Sequence, residues 1–311
     1  MNLGRWMSNA GARGADLRVS RLVPTHVSAD ASRLPVLPAE STHLETPMAT
    51  RSKPAAWAAF PHAAKPFSLS AAALKKNWSR LHRGDREPLP SDAAVLDAWR
   101  LYHAGDYQGA YDAGLAAGPD GWNAADKAAM IHANYLETDA AAKLARFQEV
   151  ADRSLQLQKQ QPGNATAFYV EAYALGRYSQ GISVVKALAQ GLGGRIKAAL
   201  ETALRLDEQL ADAHCALGAY HAEVIDKVGA MVGKLTYGAS KDAAEKHFKR
   251  AIELAPDSAI YAVEYANALV MMHGKARMAE AVKLYERAAA AEPMDAMEKL
   301  DVEMAKAELE D

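Results

Sequence analysis

The spacing of apolar positions changes character near residue 91. From there on, apolar and small residues recur at i, i+3, i+4 and i+7, the period of a helix with one face on a core. The stretches 91 to 104, 122 to 138, 165 to 176, 211 to 222 and 259 to 272 each predict such a helix, and each is followed by a second helical stretch. The pattern also repeats itself. Ala244, Phe248, Ala251 and Pro256 return as Ala281, Tyr285, Ala288 and Pro293, all displaced by 37 positions, in KHFKRAIELAP and KLYERAAAAEP. Small residues at two points of a helix let a neighbour approach closely, the aromatic between them fills the remaining gap, and proline stops the chain from continuing as a helix. Ile196, Leu200, Ala203 and Glu208 repeat the pattern loosely, and Gly105 to Ala110, GDYQGA, reads as a tight turn into a helix start. In the preceding helices His214, Leu217, Gly218 and His221 match Ala262, Tyr265, Ala266 and Leu269 at helical spacing.

Proline marks where this regime begins. Nine of the thirteen prolines lie within residues 1 to 90, a density incompatible with long helices there. Charge changes at the same boundary: Lys and Arg against Asp and Glu number 13 and 6 before it, 23 and 32 after it. These counts predict three parts: an N-terminal extension, 1–47, expected to be disordered or to precede a native start at Met48; a proline-rich basic arm, 48–90; and a helical repeat domain, 91–311. The basic arm is expected as a solvated tail, with docking on the acidic domain as the alternative. Within it Leu74, Trp78 and Leu81 form an apolar stripe at i, i+4 and i+7, which predicts one short amphipathic helix capping the first repeat.

Composition narrows the function classes. Half of the 311 residues are apolar, 68 of them alanine, and the formal net charge is −2. A near-neutral chain gives no electrostatic footprint for nucleic acid, and no apolar run is long enough for an integral membrane segment. A single cysteine, Cys215, forms neither an internal disulfide nor a multi-thiolate metal site, which points to a reducing, cytoplasmic setting.

The repeated residues resemble the tetratricopeptide repeat (TPR) family: a first helix of the W-x2-L-G-x2-Y kind around Leu217 and Gly218, then A-x3-F-x2-A and a closing proline. The resemblance implies an all-α, TPR-like α-solenoid of about four to five antiparallel helix pairs over roughly residues 91 to 300. The repeat spacing of 37 residues and more exceeds the usual ~34, and His214 and His221 stand where aromatics are usual. Two apolar inserts account for most of the excess, Arg177 to Gly194 and Glu223 to Ser240. They match each other through Ile182, Val185 and Leu188 against Ile225, Val228 and Met231, predicting a lengthened or additional helix ended by glycines. Such inserts in a TPR-like array are similar to those of the TRAP-transporter T-component (TatT) proteins and the regulator-of-microtubule-dynamics proteins.

Candidate chemistry is sparse. GAMVGKLT, Gly229 to Thr236, approaches a phosphate-cradling loop, but only three residues separate its glycines and Leu235 stands where the Mg2+-binding hydroxyl belongs. His214 and His221, seven apart, lack metal-ligand spacing and are expected as packed, hydrogen-bonded side chains. Cys215 is expected as a buried inert thiol, and Ser183 lacks a G-x-S-x-G turn. No catalytic residue, metal or cofactor is expected. What the TPR resemblance implies is a non-catalytic scaffold that holds a partner protein or peptide on the concave side of its first helices. On that side Tyr169, Tyr173 and Arg177 fall at i, i+4 and i+8, and Asn267 sits where similar grooves bond a peptide backbone. The alternative is a carrier for a small apolar ligand in a pocket formed by the two inserts.

Overall fold

The computed structural model describes residues 56–310, and their regular structure is helical throughout, with no strand among them. The extension 1–47 and the expected start at Met48 lie outside the described residues. The chain enters through α1 (Ala71–Leu81), then forms α2 (Ala93–Ala104), α3 (Tyr107–Ala116), α4 (Trp122–Ile131), α5 (Ala140–Gln160), α6 (Ala165–Gln180), the short α7 (Val184–Ala189) and α8 (Leu192–Leu206). It continues through α9 (Ala211–Val228), α10 (Lys241–Leu254), α11 (Ala259–His273), α12 (Met278–Ala289) and α13 (Ala296–Glu310). Five helix pairs result: α2 with α3, α4 with α5, α6 with α8, α9 with α10, and α11 with α12. This is an all-α, TPR-like array, with α1 before the pairs and α13 after them.

Helix starts follow from local chemistry. Asp92, Asp139, Asn164 and Ser240 each accept a hydrogen bond from a backbone N–H two or three residues on, satisfying donors that the first turn leaves open. At the end of α2, Gly105 adopts φ +86°, a left-handed cap that turns the chain directly into α3.

The repeated small residues are the contact points between helices. Ala244, Phe248, Ala251 and Ala281 are fully buried, and Tyr285 and Ala288 nearly so. Gly218 on α9 faces the Phe248 ring so closely that a Cβ there would lie 2.8 Å from it. A β-carbon on Gly114 would come within 2.7 Å of the Gly121 carbonyl, so α3 and the start of α4 touch backbone to backbone. Pro256 and Pro293 follow the ends of α10 and α12. Leu217 joins the core between α9 and its neighbours.

The described part of the basic arm is docked on the acidic domain, which the expectation of a solvated tail did not foresee. Arg80 reaches Glu298 at 2.6 Å and Asp257 at 2.5 Å, Arg83 reaches Asp257 at 2.9 Å, and Arg86 reaches Asp207 at 3.0 Å. The pairs of Arg83 and Arg86 are largely exposed and contribute little each, whereas Arg80 and Glu298 form a half-buried, two-bond pair. The apolar stripe does more: Leu74 and Trp78 are buried, and the Trp78 ring meets Trp99 of α2 edge to face, 6.2 Å between centroids. The arm docks because α1 brings apolar area as well as charge.

Gly218→Val tests the close approach of α9 and α10. The added side chain must displace a ring with no free space, and we expect a loss of about 1–3 kcal/mol in urea unfolding with unchanged m-value; an unchanged midpoint would mean that the two helices do not need the notch.

Candidate functional site

The first helices α4, α6, α9 and α11 turn their polar positions to a common inner face, and that face is filled by the chain itself. Residues His82 to Pro90 leave α1 and cross the N-terminal ends of these helices. Arg86 within this segment holds φ +56°, a left-handed conformation that costs an L-residue roughly 1–2 kcal/mol. Compensating contacts surround it. The Asp212 N–H donates to the Gly84 carbonyl at 3.0 Å, the Thr166 hydroxyl to the Asp85 carbonyl at 3.3 Å, and the Trp78 indole to the Glu87 carbonyl at 2.8 Å.

A buried ionic chain runs through this contact. Lys127 of α4 lies 2.7 Å from Asp85 and 3.3 Å from Asp212, whose other oxygen accepts from Tyr261 of α11 at 2.5 Å. Burial alone would raise the Asp85 carboxyl, but the His82 and Lys127 side chains outweigh it and hold the group well below the usual carboxylate range. Burial likewise opposes the charge on Lys127, and Asp85 and Asp212 overcome it, so the ammonium is held far above its usual pKa. On the other side of Asp85, His82 Nδ1 lies 3.0 Å from the carboxylate, His82 Nε2 lies 3.1 Å from His103 Nε2, and His103 Nδ1 lies 2.6 Å from Asp295. With both Nδ1 atoms donating to carboxylates, a hydrogen bond between the two Nε2 atoms requires one ring to carry a second proton. Burial lowers the His82 pKa, with Asp85 opposing.

The C-terminal half of the inner face is taken by α13. Leu300, Val302 and Ala305 are buried, and Asp301 accepts from the Tyr135 hydroxyl at 2.5 Å. Desolvation pushes Asp301 up to about 8, against the Tyr135 bond, and pushes Glu87 up to about 8, helped by the nearby Asp85 charge.

The residues singled out from the sequence lie at this face or beside it. Tyr169 is buried, with its ring 6.2 Å from Tyr173. The Arg177 guanidinium stands 5.2 Å from the centre of the Tyr173 ring and bonds Glu264 of α11 at 2.7 Å. Burial works against that charge, and Tyr173 and Glu264 more than offset it. These three residues are thus brought together, whereas Asn267 accepts from the Tyr285 hydroxyl of α12 and faces its own helix partner. His214 lies 2.9 Å from His247 through their Nδ1 atoms, and no group of three or more His, Cys, Asp or Glu placed to hold a metal occurs among the described residues. Cys215 is buried, and desolvation raises its thiol well above the usual value. Ser183 caps α7, accepting from the Lys186 N–H. Missed at the sequence level were His82, Asp85, His103, Lys127, Asp212 and Asp295. The available signal was HRGDRE, a run of both charges directly after an amphipathic helix.

Both inserts are anchored in the core, through Leu192 and Ile225, and turn other large apolar side chains outward. α6 runs on to Gln180 and is followed by α7; α9 runs on to Val228 and is followed by a single turn, Ala230–Val232, and a π-helical turn, Gly233–Tyr237. Val185, Met231 and Leu235 are 77%, 74% and 81% exposed, so these side chains face solvent and do not enclose a cavity. An open cleft of about 580 Å³ lies elsewhere, near Arg80, Asp257 and Arg287, and both arginines in it are already bonded, to Asp257 and to the Pro256 carbonyl.

No family model matches the chain, and no curated protein matches it. Among solved structures it is similar to a thermophilic TPR protein of Thermus thermophilus, at 18% identity and a TM-score of 0.49, over 69% of this chain and 97% of that one. The helix-pair array described above stands on this chain's own geometry.

Because Asp301 and Glu87 are raised in the folded state, each contributes stability that is full below its unfolded pKa and is lost as pH rises toward about 8. Asp301→Asn keeps an acceptor for Tyr135 and removes the ionisation. Between the unfolded and folded pKa values we expect this variant to lose less stability with pH than the wild type, by up to ~1.4 kcal/mol per pH unit. Parallel slopes in chemical unfolding would place the ionised form in the native protein.

Proposed function

We propose that the chain is a non-catalytic interaction scaffold whose inner face binds polypeptide, and that in the resting molecule the bound polypeptide is its own segment His82 to Pro90. One observation carries this reading: the array contacts that segment as it would a ligand, through the main-chain carbonyls of Gly84 and Asp85 and through two acidic side chains, Asp85 set against Lys127 and Glu87 accepting from Asn123. Backbone bonds give affinity for any extended chain, and the buried ammonium selects a carboxylate. A partner of matching chemistry, extended and acidic, reaches this face by competing with the segment, and Tyr173 and Arg177 form its rim beyond Lys127. Tyr169 backs that rim from the buried side, and Asn267 supports it through α11.

The exposed ion pairs of Arg83 and Arg86 allow the segment to be loosened without leaving a buried charge alone. In affinity capture from native lysate, Arg83→Glu with Arg86→Glu is expected to increase recovery of a partner, and Tyr173→Ala with Arg177→Ala to abolish it while helicity by circular dichroism is retained. Recovery indifferent to both variants, or unfolding of the second, would show that the inner face is a core and not a site.

A further inference from the structure

We propose that the two inserts form one peripheral docking surface for an anionic lipid bilayer. They are neighbours in space. The N-terminal ends of α6 and α9 both contact the segment Gly84–Asp85, and their C-terminal ends meet where Gln180 donates to Glu223 at 2.8 Å, so the two helices run in the same direction and release their inserts at the same edge. The second insert is tied to the exit of the first: Lys197 Nζ donates to the Tyr237 carbonyl at 3.1 Å, and the Tyr237 ring covers Gly193 so closely that a Cβ there would lie 3.1 Å from it. From this edge project Val184, Val185, Leu188, Met231, Val232 and Leu235, each 42% exposed or more. They comprise most of the large apolar side chains exposed among the described residues, gathered on two short turns.

Charge identifies the occupant. Tyr178 to Lys197 and Val224 to Lys241 together hold six cations. Arg195, Lys197 and Lys227 pair with Glu171, Glu201 and Asp226, and Lys241 bonds the Met272 carbonyl, while Lys186 and Lys234 stand exposed among the apolar tips, within a repeat domain that is otherwise acidic. Lysines interleaved with outward apolar tips, as in SVVKALA and AMVGKLT, suit a surface whose interior takes the side chains and whose headgroups take the ammonium groups. A second copy of the chain fits less well. Two short turns fall short of the roughly 20–30 residues per side of a stable protein interface. Glycines on either side, Gly191 at φ +63°, Gly229 at φ +81° and Gly238 at φ +66°, let the turns stand clear of the helices that carry them.

The experiment is flotation of the full-length chain with vesicles of phosphatidylcholine alone or of equal parts phosphatidylcholine and phosphatidylglycerol. We expect binding to the anionic vesicles only, weakened by salt, and reduced about tenfold or more by Val185→Asp with Met231→Asp and Leu235→Asp. Lys186→Glu with Lys234→Glu, a second variant at exposed positions, is expected to reduce it likewise. Wild type and both variants floating equally would assign the binding to the basic N-terminal arm and overturn the proposal, as would no flotation of the wild type. Self-association of the wild type that the apolar variant abolishes, without vesicle binding, would show the surface to be a contact between copies and would equally overturn it.

Discussion

Charges inside this molecule can persist only because each meets a counter-charge drawn from a distant part of the chain. Taking an ion out of water costs several kcal/mol, and a single missing partner leaves that cost uncompensated. Asp85 comes from the arm, Lys127 from the second helix pair and Asp212 from the fourth; none of the three is tolerable at its depth without the others. The same holds for His82, His103 and Asp295, which join the arm, the first pair and the start of the last helix. The order of the array, and the closure of its two ends on each other, rest on these two chains of contacts.

Packing supplies the framework that makes such precision possible. Alanine and glycine at the helix contacts bring axes close enough for backbones to touch, and Phe248 and Tyr285 fill what remains. A helical repeat would ordinarily leave the inner side of its first helices to water or to a partner. Here that side is polar and yet buried, because the arm and α13 lie in it. The arrangement explains why Arg177 can be half-buried: Glu264 and the Tyr173 ring replace part of its hydration.

The inserts follow the opposite rule. Leu192 and Ile225 anchor them in the core, while Val185, Met231 and Leu235 stand outward beside lysines. The inner face is thus charged and closed, and the outer edge apolar and open.

The residue pattern determined a great deal by itself. Helical periodicity, the repeat of Ala244 to Pro256 in Ala281 to Pro293, and the glycine notch at Gly218 are local signals, because each concerns neighbours on one helix or on the next, and the pairs formed where they pointed. Tyr169, Tyr173 and Arg177 were likewise legible as one stripe, since helical spacing alone puts them on a face. What filled that face was not legible. His82 and Asp85 lie in an arm that reads as a solvated tail, and the contacts that run from them through His103 to Asp295 and through Lys127 to Asp212 span 21 to 192 positions at each step. A counter-charge leaves no mark at that distance in a single sequence, because the electrostatic cost that demands it exists only once the chain has closed and water has been excluded.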